Sequence, residues 1–306
     1  MKLFDVYPLY EVCPVRAKDV YVYDEAGTEY LDLYGGHAVI SVGHSHPHYV
    51  KQLEKQLNKI AFYSNAVLNP LQQKLAEEIG EQSCLHNYQL FLCSSGAEAN
   101  ENALKLASFH TGKKRIIAFK NSFHGRTSAA VAVTDNQKIN APLNQQQEVT
   151  FIHFNDLEGL ENELKEEDVC AVIFESIQGV GGLDIPDDEF VIGMNTLCHK
   201  YNTCLIADEV QSGFSRSGKF FAFQHNNIQP HVITMAKGMG NGFPIGGILV
   251  HPDLKPKHGM LGTTFGGNHL ACTASLAVLE IIKKNKLQQH AESMDTYFRA
   301  KAEKIS

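Results

Sequence analysis

The chain has 306 residues, 43% of them hydrophobic and 20% charged, with a formal net charge of −7 at pH 7. That length allows a large core with a smaller lobe beside it, and the acidic balance, without any Lys/Arg block, speaks against a nucleic-acid or anionic-membrane surface. Apolar runs such as residues 170–174 are far too short to span a bilayer, and Asp5 interrupts the stretch a secretory leader would need, so the expected location is the cytoplasm.

In chain order, residues 20–23 and 29–32 flank the turn 24–27 and predict a hairpin outside any main sheet. His44, His46 and His48 come next, around Pro47. No helix carries them as a ligand pair and no cysteine accompanies them, so the cluster reads as a turn, and no metal site is expected. From residue 90 onward, short apolar runs alternate with helical stretches. Strands are expected at 90–93, 115–119, 149–153, 170–174, 204–207 and 231–235, with a helix at 97–110. Runs that are apolar on both faces and separated by helices predict a largely parallel sheet covered on both sides, an α/β fold. Beyond residue 271, Leu276, Leu279, Ile282 and Leu287 recur at roughly helical spacing, so the chain is expected to be helical to its end. The seven cysteines are scattered with no Cys-x-x-Cys pair, and Cys93, Cys170, Cys204 and Cys272 read as reduced core thiols.

In α/β sheets, ligands collect beyond the C-terminal ends of the strands. The predicted strands end in Ser94-Ser95-Gly96-Ala97, Glu175, Asp208 and Lys237. Each answers a need of pyridoxal phosphate (PLP). A lysine directly after an apolar strand is partly desolvated, which favours the neutral amine that must hold the aldehyde as a Schiff base; Lys237 has that setting. Asp208 can keep the pyridine nitrogen protonated. Ser95, Gly96 and Ala97 offer backbone N–H groups at a helix start for the phosphate. Phe123, with His124 beside it, offers an aromatic face for the ring. Singly, each has a plainer reading: a surface lysine, a helix cap, an ordinary strand-to-helix turn. Residues 238–242 are not a dinucleotide fingerprint, because no Gly-x-Gly-x-x-Gly opens a helix there. Only the conjunction of these features points to the cofactor.

Across nearly its whole length the sequence resembles the class III (ornithine/acetylornithine-type) aminotransferases of PLP fold type I. The resemblance is carried by residues 205–214, ending the stretch Asp208-Glu209-Val210-Gln211 with Ser212-Gly213-Phe214, and by Ala236-Lys237-Gly238, Ser95-Gly96-Ala97-Glu98-Ala99-Asn100, Phe123-His124-Gly125-Arg126-Thr127 and residues 262–268. It implies a mostly parallel seven-stranded sheet flanked by helices. It implies that Val210 meets a ring face, Gln211 the ring hydroxyl, and Arg126 a substrate carboxylate. Residues 262–268 would form a strand lending Thr264 to the phosphate of a neighbouring subunit, hence a homodimer with shared sites. The nearest group, N-acetylornithine aminotransferase, implies transfer of the terminal amino group of an N-acylated ornithine (acetyl or succinyl) to 2-oxoglutarate, giving glutamate, in arginine biosynthesis. The alternatives are ornithine δ- or another ω-amino-acid transamination, a non-catalytic PLP-binding module, or an impaired fragment.

The sequence departs from the family pattern in three ways. Val180 stands where relatives often carry glutamate, in the run that begins at Glu175. His37 stands where they carry tyrosine or an aliphatic residue near the substrate carboxylate, and His37 and Glu175 are both expected to face substrate. The resemblance also implies a C-terminal small lobe that residues 276–306 only begin, so truncation is expected there. The expected organisation is residues 1–60 as an N-terminal segment of a small α+β lobe, 61–275 as the PLP-binding domain, and 276–306 as the start of the C-terminal lobe.

Overall fold

The computed structural model describes residues 1–305. Three short strands, β1 (Pro14–Lys18), β2 (Tyr21–Asp24) and β3 (Glu29–Leu31), form an antiparallel sheet in that order. The β2–β3 hairpin is the expected one. Its turn is fixed by Asp24, whose Oδ1 accepts from Thr28 N–H at 2.8 Å. Strand β1 was not expected; it opens on a proline and is interrupted by an irregular register between Pro14 and Arg16. A single left-handed turn, α1 (Gly35–Ala38), and helices α2 (Pro47–Leu57) and α3 (Pro70–Ser83) lead to the main sheet. His46 caps α2 by accepting from His48 N–H, while His44 pairs with Asp32 and His48 with Glu280. The three histidines thus form one helix cap and two side-chain pairs, that of His48 reaching the helix His269–Asn285. Among the described residues no group of three or more His, Cys, Asp and Glu is arranged to hold a metal ion.

Seven strands build the main sheet: β4 (Gln89–Cys93), β5 (Arg115–Phe119), β6 (Val149–Ile152), β7 (Val169–Glu175), β8 (Cys204–Asp208), β9 (Val232–Met235) and β10 (Gly246–Val250). Their order is β4-β10-β9-β8-β7-β5-β6. Only β10 runs against its neighbours, so β4, β5, β7, β8 and β9 all end at the same edge. Strands 7, 8, 9 and 10 are buried throughout. Successive residues serve opposite faces: Val172, Phe174 and Leu205 join one apolar core, and Ile173, Cys204 and Ile206 the other. Helix α4 (Gly96–Thr111) covers the second core with Ala99, Ala103 and Ala107, spaced one turn apart. The short helices α5 (Ser128–Ala132) and α6 (Leu157–Leu164), then α7 (Asp188–Lys200) and α8 (His269–Asn285), complete the layers.

Two expectations are corrected. Residues 262–268 are not a strand but a bend followed by a turn. A Cβ on Gly266 would lie 2.5 Å from the Leu92 carbonyl oxygen, and Gly267 is left-handed (φ 72°), so this backbone passes β4 closely without pairing with it. The terminal helix is also broken at Lys286 (φ 52°), which ends α8 and precedes α9 (Leu287–Ala302), a helix with no buried residue. The expected core thiols did not include Cys198, which is buried with the other four; Cys13 and Cys84 are exposed and all seven are free. No helix among the described residues is long and apolar enough to cross a membrane.

The sheet interior sets the stability. Phe174 is fully buried near the end of β7, while Leu143 is 81% exposed. Phe174→Ala is expected to cost about 3–5 kcal/mol, and Leu143→Ala to stay within about 0.5 kcal/mol, measured as shifts in the urea unfolding midpoint.

Candidate active site

A cavity of about 480 Å³ opens at the common edge where β4, β5, β7, β8 and β9 end. Its lining brings together Ser95, Gly96, Ala97, Phe123, His124, Arg126, Glu175, Asp208, Val210, Gln211 and Lys237. Eleven residues singled out along 143 positions of sequence therefore meet in one space because five strands share a direction. Val39 from the segment after α1 and Val180 complete part of the wall, and Val180 is 67% exposed. Two expected residues stand elsewhere. His37 is exposed and bonds Tyr34, its Nδ1 lying 2.5 Å from the hydroxyl. Thr264 sits on the exposed turn before α8, outside the cavity of its own chain.

Asp208 terminates β8 and is only 4% exposed. Its Oδ2 accepts from Asn100 Nδ2 and His124 Nδ1, both at 2.7 Å. Its Oδ1 accepts from Val210 N–H at 3.0 Å and from the Thr234 hydroxyl at 3.3 Å. Burial alone would push the His124 imidazole down, but the Asp208 hydrogen bond and charge outweigh it, and the group is held above its ordinary value. His124 Nε2 and Asn100 Oδ1 are buried with no partner. From sequence, His124 had no link to Asp208 and Asn100 had no role. The signal for Asn100 was available: it lies four residues after Gly96 on α4, on the same helical face.

Glu175 ends β7 and is buried. Its two oxygens accept from Phe123 N–H at 2.9 Å and Gly179 N–H at 3.0 Å, so it fixes the backbone of two cavity segments. Burial raises its pKa. At the end of β4, Ser95 caps α4 by accepting from Glu98 N–H, and Glu98 accepts in return from Ser94 N–H at 2.6 Å. The helix start is thereby pinned, while the N–H groups of Gly96 and Ala97 remain for a ligand. A Cβ on Gly96 would meet Val210 at 2.6 Å, which explains glycine there. Arg126 lines the cavity, exposed, with no carboxylate within 4 Å among the described residues.

Lys237 follows β9 in left-handed backbone (φ 44°), a conformation disfavoured for a residue with a Cβ and one that marks strain at a site. Burial holds its amine below the ordinary lysine value; the Asp208 and Glu175 carboxylates oppose this and the Arg216 guanidinium adds to it. The donor set suits PLP. It offers a depressed amine, a buried carboxylate for a pyridine N–H, and a pinned helix start for a phosphate, in a space of ligand size.

The model of the family Aminotransferase class-III matches residues 5–306. An acetylornithine aminotransferase from Archaeoglobus fulgidus is 42% identical over 299 residues, covering 97% of this chain and 79% of that protein. The ornithine aminotransferase from Toxoplasma gondii superposes with a TM-score of 0.91 at 29% identity, over 97% of this chain and 73% of that one. The taurine:2-oxoglutarate aminotransferase from Bifidobacterium kashiwanohense, solved with PLP and glutamate, gives 0.92 at 26% identity over 100% and 75%.

Between its folded and unfolded pKa values, a lysine depressed by burial binds fewer protons folded than unfolded, so the stability it withholds returns as pH rises through that window. Lys237→Met removes the penalty. In cofactor-free protein the variant's stability relative to the parent is expected to shrink as pH rises toward about pH 10, the ordinary lysine range, in urea midpoints across a pH series. A difference that grows with pH would contradict a depressed amine.

Proposed function

This chain belongs to the class-III aminotransferases and is a PLP-dependent transaminase, and we propose that it moves the terminal amino group of an N-acylated ornithine to 2-oxoglutarate in arginine biosynthesis. The observation that carries this is the pairing, in one cavity, of a buried carboxylate with an amine depressed by burial. The substrate assignment is supported by relatives at 37–42% identity that are acetylornithine aminotransferases over nearly this whole chain. Transfer from ornithine itself is the second reading, favoured by the Toxoplasma structure at a lower identity of 29%.

Bound PLP supplies an aldehyde and a ring that draws electrons from the carbon bearing the reacting nitrogen. Asp208, aligned by Asn100, His124 and Thr234, accepts from the pyridine N–H and keeps that proton in place. The Gly96 and Ala97 N–H groups, with the Ser95 cap, would hold the phosphate, and Phe123, Val210 and Gln211, which line the same cavity, would hold the ring and its hydroxyl. His124 acts on the cofactor through Asp208. Lys237 Nζ would hold the aldehyde and, once free of it, would serve as the base and acid that moves the proton of the substrate's amine-bearing carbon. Burial, which lowers its pKa, favours the neutral form that both tasks need. The Arg126 guanidinium, without a carboxylate partner among the described residues, would grip the α-carboxylate with a planar fork. Glu175 sets the substrate wall by holding the backbone of Phe123 and Gly179. His37, bonded to Tyr34 outside the cavity lining, is given no role in this reading.

The working assembly we propose is a cytoplasmic homodimer, in which Thr264 of each chain completes the phosphate site of the other. Supporting this, Thr264 lies outside its own cavity, on a turn beside the exposed Phe265. Phe265 is packed at 5.4 Å on Phe62, itself partly exposed. The domain division we propose is residues 1–60 as a small-lobe segment, 61–275 as the PLP-binding domain and 276–306 as a further small-lobe element.

Two linked measurements test the roles. Borohydride added to the yellow, PLP-loaded protein should attach pyridoxal to Lys237 and to no other lysine, read by peptide mass. Asp208→Asn should lower kcat at least about a hundredfold while moving KM far less, because it weakens electron withdrawal and leaves substrate contacts alone. Labelling elsewhere, or a kcat near that of the parent, would overturn the assignments.

A further inference from the structure

Six non-glycine residues with left-handed backbone gather around the Lys237 loop. They are His37 and Ala38 (φ 62° and 58°), Phe214 and Ser215 (φ 55° and 71°), and Lys237 and Asn241 (φ 44° and 48°). Such backbone is disfavoured wherever a Cβ is present and persists only where neighbours over-determine it. The three segments are in contact. Arg216 Nη2 donates to the Ala38 carbonyl at 2.9 Å, and a Cβ on Gly238 would sit 3.4 Å from Ser41 and 3.5 Å from Phe214.

One side chain holds most of this arrangement. Asn241 is only 6% exposed. Its Oδ1 accepts from Ser41 N–H at 2.8 Å and Val42 N–H at 3.0 Å, and its Nδ2 donates to the Gly43 carbonyl at 3.0 Å. The amide thus spends three hydrogen bonds on three consecutive residues of a segment nearly 200 positions away. The same segment returns two more. The Ser41 hydroxyl donates to the Gly238 carbonyl and the Tyr49 hydroxyl to the Gly240 carbonyl, both at 2.7 Å. Every one of these bonds joins the 41–49 stretch to the five residues that begin at Lys237.

We propose that Asn241 is a positioning residue for Lys237: its amide fastens residues 41–43 over the loop after β9, and this fastening keeps Lys237 in its left-handed backbone and Val39 on the cavity wall. The role rests on the reading of Lys237 as the amine that holds PLP. A plain anchor for the N-terminal segment would need the same hydrogen bonds but would leave Lys237 indifferent to their loss.

Asn241→Gly separates the possibilities, because glycine keeps left-handed backbone accessible while deleting the clasp. In the full chain, amide exchange at Ser41 and Val42 should speed at least about tenfold, with β7 amides unchanged, as expected for buried hydrogen bonds lost together. PLP affinity, read from visible absorbance at increasing PLP, should fall about tenfold. Ser41→Ala, which removes only the bond to the Gly238 carbonyl, should weaken PLP binding in the same direction by a smaller factor, and it decides the matter if Asn241→Gly does not fold. Unchanged exchange, or faster exchange with the parent's PLP affinity, would overturn the proposal. A parent that binds no PLP would refute the cofactor reading instead. The clasp would then stand on the pH midpoint of Lys237 acylation, which should rise in Asn241→Gly and would overturn the proposal if it did not.

Discussion

A carboxylate cannot be left alone inside a protein, and the burial of Asp208 organises much of what surrounds it. Its charge, 4% exposed, is met by donors from four places: Asn100 on α4, His124 after β5, the Val210 N–H of its own turn, and Thr234 on β9. Each bond ties an element to the end of β8, and together they draw the helix start, the aromatic loop and the lysine-bearing strand to one point. Removing any donor would leave part of a buried charge unmet, which costs more than the hydrogen bond itself contributes.

That arrangement also explains how Lys237 can be near a carboxylate and still be less basic than an ordinary lysine. Attraction to Asp208 and Glu175 favours its charged form, yet burial outweighs it and Arg216 adds repulsion. Asp208 is paired with His124 and accepts from three further donors, and among the described residues it forms no ion pair with the lysine. Glu209, the next residue, is fully buried and satisfied in a similar way. It accepts from Ser176, Ser212 and the N–H groups of Ala222 and Phe223, and so fixes the loop that carries Arg216. Two adjacent acids therefore serve different ends, one shaping the cavity and one bracing the loop behind it.

The sheet was legible because its strands are apolar on both faces; the expected and observed limits of strands 4 to 9 differ by at most a residue or so at either end. Strand β10 escaped notice because Gly246 and Gly247 blur its start, and β1 because proline and charge disguise an exposed edge. At the site, the residue types that chemistry demands could be read directly after each strand. What could not be read was orientation. Nothing in the order Phe123-His124 says that the imidazole turns to Asp208, and nothing near Asn241 names a partner 200 positions earlier. The left-handed turn at 35–38 was equally hidden, since only two of its four residues are glycine. The family resemblance made residues 262–268 look like a strand, where close approach to the β4 backbone instead requires turns.

The residues gathered around Asp208 and Lys237 equip this cavity to exchange an amino group. The most direct test is the half-reaction: PLP-loaded protein mixed with N-acetylornithine in the absence of any oxo acid, followed by visible absorbance. The yellow band should be lost in an amount equal to the occupied sites and should return when 2-oxoglutarate is added, with glutamate formed in the same amount. A band that N-acetylornithine and N-succinylornithine both leave unchanged, in protein whose Lys237 is demonstrably loaded, would contradict it.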